Sequence, residues 1–296
     1  MSAQTVTAVI DWYEHNKRDL PWREARTTPW GVLVAEVMAQ QTPVARVAPQ
    51  WTAWMNRWPT PAALAKAEPA EVITQWDRLG YPRRALRLHE CAIAIAKLHA
   101  GEVPDDYGSL MALPGIGDYT ASAVIAFAFG RRALVLDTNV RRVAARVFTG
   151  IANHAPHVTA AERAVLDAVT PADSHAAAFA QGLMELGAVL CRPKPLCEPC
   201  PLRESCTWRA AGYPEAAQPA RRPQPFTGTD RQARGVAMKI LREASHPVTA
   251  DVIHAAWHDF SQMERSLQSL IADGLAETTA AGEFHLPSRS PQQSRG

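Results

Sequence analysis

Between residues 6 and 189, apolar side chains recur at helical spacing, and each run ends near a proline or a glycine. Val6, Ile10, Trp12 and Tyr13 mark a first amphipathic helix, and Val32 to Gln40, after Pro29, a second and more buried one. Further stripes cover 44–57, 70–78, 83–98, 119–129, 138–148, 160–169 and 175–189. The breaks fall at Pro43, Pro59, Gly80, Gly101, Pro104, Gly130, Gly150 and Pro171. No comparable alternating strand pattern precedes residue 270. A chain written this way is expected to be all-α, built from short helices with tight connections.

Composition narrows the class further. The 296 residues are 47% hydrophobic and 20% charged, which supplies a real core and excludes wholesale disorder. Lys and Arg number 31 against 29 Asp and Glu, a net charge of +2. That excludes a basic tail protein but leaves room for a local basic face that binds nucleic acid. The longest apolar run, Ala121 to Phe129, is about half of the roughly 20 residues a membrane span needs. The first twenty residues mix charge with apolar residues and lack a secretion signal's continuous apolar stretch. The expectation is a soluble, cytoplasmic protein.

Residues 210–229, AAGYPEAAQPARRPQPFTGT, read as a linker. Beyond it, 230–244 is helical in pattern, Thr249 is placed to cap a helix over 250–257, and Ser261 to cap another over 262–272. Leu275 to Thr279, the turn Ala280-Ala281-Gly282, and Glu283 to Leu286 complete a hairpin. Three helices and a hairpin spell a winged-helix-like module at 230–290, with a disordered tail at 291–296.

Four of the five cysteines lie within sixteen residues, CRPKPLCEPCPLRESC. Disulfides are a poor explanation in a cytosolic chain. Four crowded thiolates read instead as a metal site, with Cys191, Cys197, Cys200 and Cys206 giving one ligand each. Zinc and a [4Fe–4S] cluster both satisfy that count. Arg192 and Lys194 lie between the first two cysteines and Arg203 between the last two, as a solvated loop or a phosphate-facing clamp would have them. Cys91, on a helical stripe between Leu88 and Ile93, reads as a small buried hydrophobe.

Leu113-Pro114-Gly115-Ile116-Gly117 sits between a short apolar helix and a longer one starting near Tyr119. Gly115 and Gly117 permit a tight hairpin whose bare N–H groups, at a helix N-terminus, suit a phosphate. Twenty residues after Gly117, Asp137 stands where an apolar stretch meets a helix, and on spacing alone it is an ordinary N-cap. Glu36 interrupts the apolar sequence Val32 to Ala39. A carboxylate buried there is costly unless paired, and its pKa rises, which suits a general acid near neutral pH. A satisfied structural glutamate fits the same pattern.

In combination these pieces resemble the helix-hairpin-helix DNA glycosylase superfamily and, within it, the adenine DNA glycosylase family. The similarity runs from about residue 8 to about 210. It rests on Leu20-Pro21-Trp22-Arg23, Glu36-Val37-Met38 with Gln40-Gln41-Thr42, Leu79-Gly80-Tyr81, LPGIGDYTASAV at 113–124, LDTNVRRVAAR at 136–146, and Gln181 to Ala188 before the cysteines. The resemblance implies a two-lobed body over 1–209, with a six-helix lobe at about 22–130 and a cluster lobe formed by 1–21 plus 131–209. It also favours [4Fe–4S] over zinc.

The implied activity is base excision: adenine opposite 8-oxoguanine or guanine is flipped out of double-stranded DNA and its N-glycosidic bond hydrolysed. By family match, Glu36 protonates the adenine ring and Asp137 stabilises the oxocarbenium-like sugar, with Tyr119 and Asn139 in support. Gln40, Gln41 and Thr42 fall on the DNA side, Gln41 and Tyr81 matching residues that wedge into the duplex near the orphan base. Arg23 and Gln181 lie on segments resembling the adenine pocket. Gly115 and Gly117 would hold backbone phosphate, with a monovalent cation as a candidate ligand there. The expected partner is a duplex with a mispaired or oxidised base, met by a monomer in the bacterial cytoplasm at the nucleoid, with no membrane role.

Position 119 separates subfamilies. Endonuclease III enzymes, which are bifunctional lyases, carry a lysine there, whereas a tyrosine forms no Schiff base and points to a monofunctional glycosylase. Thymine-mismatch glycosylases accept the same tyrosine, and Gln40-Gln41-Thr42 tilts the reading to adenine. Departures from the family pattern are a first cysteine gap of five residues, Pro82 for a common tyrosine, Thr138 after Asp137, and about 70 residues after the linker in place of a Nudix-like domain. The rival from another class is a non-catalytic DNA-binding regulator, which needs neither Glu36 nor Asp137.

Overall fold

The computed structural model describes residues 3–172, 174–216 and 226–288. The tail expected at 291–296 and residues 217–225 of the expected linker lie outside the described residues.

The chain opens with α1 (Ala3–Asn16), a single 3-10 turn at Pro21–Arg23, and α2 (Pro29–Ala39). Next come α3 (Val44–Arg57), α4 (Pro61–Ala65), α5 (Pro69–Trp76) and α6 (Arg83–Leu98). The hairpin helices are α7 (Tyr107–Ala112) and α8 (Asp118–Phe129). Then α9 (Thr138–Ala144) runs on through a π-helical turn to Thr149, followed by α10 (Ala160–Val169), α11 (His175–Val189) and α12 (Thr207–Ala210). The described chain ends with α13 (Asp230–Glu243), α14 (Ala250–Ala255), α15 (Phe260–Ala272), β1 (Glu277–Thr278) and β2 (Phe284–His285). β1 and β2 pair antiparallel, Glu277 opposite His285 and Thr278 opposite Phe284. Among the described residues no helix is long and apolar enough to cross a membrane.

Local signals set these boundaries. Thr159 caps α10 in a reciprocal box, its hydroxyl accepting from the Glu162 N–H while Glu162 accepts from the Thr159 N–H. Gly130 ends α8 in the left-handed conformation. Two expected caps differ. Thr249 makes no side-chain cap to α14, and α15 is capped by the Asp259 carboxylate, which accepts from the Gln262 N–H at 2.9 Å. The helix therefore starts at Phe260, and Ser261 falls inside it.

The chain packs as two units, residues 1–36 with 103–220 and residues 37–102 with 221–296. In the first, α11 is the centre: Phe179, Leu183 and Leu186 pack on Val9 of α1 and on Val140 and Val143 of α9. Gly187 lets α9 come close, since a Cβ there would lie 2.7 Å from the Asn139 carbonyl oxygen. In the second, Ile73 of α5 and Leu86 of α6 join one core with Met238, Leu241, Met263, Leu267 and Phe284. Asp273 adds ion pairs to Arg83 at 3.2 Å and Arg234 at 2.6 Å. The C-terminal helices thus share this core with α5 and α6.

Candidate active site

Every residue of α2 from Val32 to Met38 is buried, so the helix offers Glu36 no polar face, and it keeps 8% of its surface. Its partner comes from the start of α8, where the Tyr119 hydroxyl donates to Glu36 Oε2 at 2.6 Å. Burial pushes the Glu36 carboxyl up to about 7 against the pull of that hydrogen bond. The Asp137 charge adds to the rise and the Arg23 charge opposes it. Burial, with the two carboxylates beside it, also lifts the Tyr119 phenol well above its ordinary range, so it stays a donor at neutral pH.

Asp137 is the N-cap of α9 and more than a cap. Its Oδ1 accepts from the Val140 N–H at 2.6 Å and its Oδ2 from Asn139 Nδ2 at 2.8 Å. Burial raises its pKa, while these donors and the Arg142 charge favour the anion. Asn139 is fixed in turn by Arg142, whose guanidinium donates to Asn139 Oδ1 and to the Gly187 carbonyl, each at 2.7 Å. One end of the pair thus holds a proton near neutrality and the other gathers donors around a carboxylate, the arrangement by which two acids take different roles.

Arg23, on the 3-10 turn, donates to Glu185 Oε2 at 2.7 Å. Glu185 is fully buried and also receives Arg18, through Nε at 2.6 Å, NH2 at 3.0 Å and the backbone N–H at 3.0 Å. Burial alone would raise this carboxyl, but the two arginines hold it below its ordinary value. Gln181 lies one turn earlier on α11 and is half-buried. Sequence reasoning named Arg23 and Gln181 and missed Glu185 and Arg18. The signal was present, since Glu185 interrupts an apolar helix as Glu36 does.

In the hairpin, Gly115 has φ +78°, a conformation that favours glycine. Gly117 is the N-cap of α8 with φ −108°, and a Cβ there would meet nothing within 4 Å. No protein contact requires that glycine; its bareness leaves the helix terminus open. The neighbouring Asp118 accepts from the Tyr107 hydroxyl at 2.7 Å and pairs with Arg163.

Gln40, Gln41, Thr42 and Tyr81 belong to the other unit. Thr42 is buried, Gln40 half-buried, Gln41 exposed and Tyr81 48% exposed.

The cysteine loop belongs with α9 and its π-helical turn. Cys191, Cys197, Cys200 and Cys206 all line one cavity, together with Arg146 and Trp208. Arg142 Nε donates to the Cys191 carbonyl at 2.6 Å, and Arg146 NH1 to Cys191 Sγ at 3.6 Å. Among the described residues no three His, Cys, Asp or Glu side chains are grouped to hold a single metal ion. Burial pushes Cys200 up to about 11. Arg192 and Lys194 are exposed, whereas Arg203 pairs with Glu198 at 2.6 Å and Glu204 at 3.2 Å, which blunts its charge as a phosphate clamp. Cys91 is fully buried on α6 and its thiol is raised to about 12 by that burial.

Residues 34–168 match the HhH-GPD superfamily of base excision DNA repair proteins. The chain is 49% identical over 282 residues to the adenine DNA glycosylase of Mycobacterium tuberculosis H37Rv, covering 95% of this chain and 93% of that protein. It is 49% identical over 279 residues to the adenine DNA glycosylase of Mycolicibacterium smegmatis, covering 94% of each. The Homo sapiens adenine DNA glycosylase is 38% identical over 200 residues, 63% of this chain and 36% of that protein. Among solved structures, a thermostable thymine-DNA glycosylase superposes with TM-score 0.64 at 27% identity, over 70% of this chain and 95% of that one. A trapped endonuclease III–DNA covalent intermediate superposes with TM-score 0.59 at 23% identity, over 72% of this chain and 99% of that one, and shares the fold.

Proposed function

The chain belongs to the adenine DNA glycosylase family, and on that premise we propose that it flips adenine from a mispair with 8-oxoguanine or guanine and hydrolyses its N-glycosidic bond. The observation that carries the reading is the buried Glu36, hydrogen-bonded to Tyr119 and close enough to Asp137 to feel its charge. A protein that only bound DNA would gain nothing from a pair of acids placed at such cost.

The roles divide by environment. Tyr119 occupies Glu36 Oε2, which leaves Oε1 to carry the proton and deliver it to a ring nitrogen of the flipped adenine. As the bond between the sugar and adenine N9 breaks, its electron pair leaves with the protonated base. Asp137 faces the cationic sugar, steadied by Asn139 and the α9 N-terminus. Water then adds to the sugar and loses a proton, leaving an abasic site. Tyr119 offers no amine, so the strand stays intact. Arg23 and Gln181 line the adenine pocket, with Glu185 holding Arg23 in place. Gly115 and Gly117 hold a backbone phosphate, Gln41 and Tyr81 enter the duplex, and Arg192 and Lys194 meet phosphate from the cysteine loop.

The four cysteines are read as ligands of a [4Fe–4S] cluster. All four line one cavity, and a [4Fe–4S] cluster takes one thiolate on each of its four irons. When bound it supplies structural order to the loop, and no catalytic step needs it. The C-terminal helices and hairpin are read as a winged-helix-like module. Residues 226–288 carry eight acidic side chains against five Lys and Arg, a poor surface for phosphate, so their part is to support α5 and α6. Excision assays over duplexes with adenine or thymine in each mispair test the function.

A further inference from the structure

Three arginines stand close together at the start of α6, and two of them have ordinary surface partners. Arg83 pairs with Asp273 at 3.2 Å and Arg87 with Glu90 at 2.7 Å. Arg84 does something else. Its NH1 donates to the carbonyls of Val37 at 2.9 Å, Met38 at 3.1 Å and Gln40 at 2.6 Å, and its NH2 to Thr42 Oγ1 and the Gly80 carbonyl, each at 3.0 Å. The first two carbonyls belong to the last turn of α2, where no helical donor remains for them. Thr42 in turn donates to the Leu79 carbonyl at 3.1 Å. One guanidinium therefore stitches the segment 40–42 to the segment 79–81. Its face lies over Trp76 at 5.2 Å and Tyr81 at 5.4 Å.

The two stitched segments share a second property. Gln41 has φ +53° and Tyr81 φ +48°, and neither is glycine. Such conformations are costly and persist where their surroundings over-determine them. Both side chains are nevertheless exposed, so no core contact explains the strain. The bonds around Arg84 act on the carbonyls of Gln40 and Gly80 and on the Thr42 hydroxyl, immediately beside the two strained residues.

We propose that Arg84 is a positioning residue, which locks the two loops in the shape from which Gln41 and Tyr81 enter the duplex. The proposal rests on the reading that these two side chains meet DNA. Arg84 itself need not touch the nucleic acid. Lysine cannot replace it, because a single ammonium cannot span acceptors on both loops as a planar fork does.

The test is a mutant cycle on the full chain. Extrusion is read with a 2-aminopurine base beside an adenine·8-oxoguanine mispair, together with the single-turnover excision rate and the melting temperature. Arg84→Lys, which keeps the charge, should lower extrusion and excision by about 10- to 100-fold, the scale of a misplaced positioning group. Gln41→Ala with Tyr81→Ala should do the same. The triple variant should be no worse than that double, because Arg84 acts through the two residues. Losses that multiply in the triple variant, or full extrusion by Arg84→Lys, would overturn the proposal. If the double variant extrudes normally, the reading of Gln41 and Tyr81 fails first and takes this proposal with it. Should Arg84→Lys melt too low to assay, Thr42→Val removes only the hydroxyl between the loops. It should give a smaller loss that likewise vanishes in the double background, and a loss that persists there would count against Arg84 acting through the loops.

Discussion

The Tyr119 hydroxyl donates to Glu36 Oε2 at 2.6 Å, joining the first turn of α8 to the middle of a helix that has no polar face. The hydrogen bond fixes which oxygen of Glu36 is engaged, and the burial that comes with it decides whether the acid holds its proton. Each consequence of that contact can be measured.

Glu36→Gln should bind a mispaired duplex with near-normal affinity and lose at least about 100-fold in single-turnover excision. In the wild-type chain the active form is the protonated acid, and burial places its pKa at about 7. The excision rate should therefore level off below pH 7 and fall about tenfold per unit above it. A rate that keeps rising through pH 8 would remove Glu36 from the role of acid.

The same burial has a sign in stability. Folding raises the Glu36 pKa from its ordinary 4.5 to about 7. Below pH 4.5 both folded and unfolded chains hold the proton and the burial costs nothing extra through ionisation. As pH rises towards 7 the unfolded chain releases its proton first, and stability is lost across that window. Glu36→Gln escapes this, so it should become more stable than wild type from pH 5 to 8, by on the order of 3 kcal/mol at the plateau. Urea melts at pH 4.5 and pH 8 would check both the direction and the window.

Asp137→Asn separates chemistry from capping. Asparagine keeps an oxygen for the Val140 N–H but sets an amide NH2 against Asn139 Nδ2, so the cap survives at a cost of about 1 kcal/mol for the lost bond while excision falls by at least about 100-fold. Asp137→Ala should lose the same activity and about 1 kcal/mol of stability besides. Comparable activity in the Asn variant would reduce Asp137 to a cap.

The helical class was legible because α-helical periodicity is local, and the proline and glycine breaks fall close to the observed ends. Glu36 stood out because a lone acid in Val32 to Ala39 needs a partner or a raised pKa, although that pattern alone does not separate a general acid from a satisfied structural glutamate. What the sequence hid was pairing. Nothing local says that Arg18 and Arg23 meet Glu185 more than 160 positions away, or that Arg84 alone among its neighbours turns inward. Competing N-caps were misread for a simpler reason, as Asp259 and Ser261 both suit the start of α15 and only packing selects between them.

The cysteine loop makes a separate prediction. Protein purified without oxygen should contain about four irons per chain and no stoichiometric zinc. Stripping the iron should loosen 191–206 to proteolysis. Stoichiometric zinc would reverse the assignment.

The most direct test of the whole account is a single-turnover assay on end-labelled duplexes carrying adenine opposite 8-oxoguanine, adenine opposite guanine, or thymine opposite guanine, with borohydride added in parallel. Adenine should be released from the first two, the strand should remain whole until alkali is added, and little or no protein should be trapped on the DNA. Release of thymine in place of adenine, or strand cleavage and trapping at the level of base release, would contradict the account.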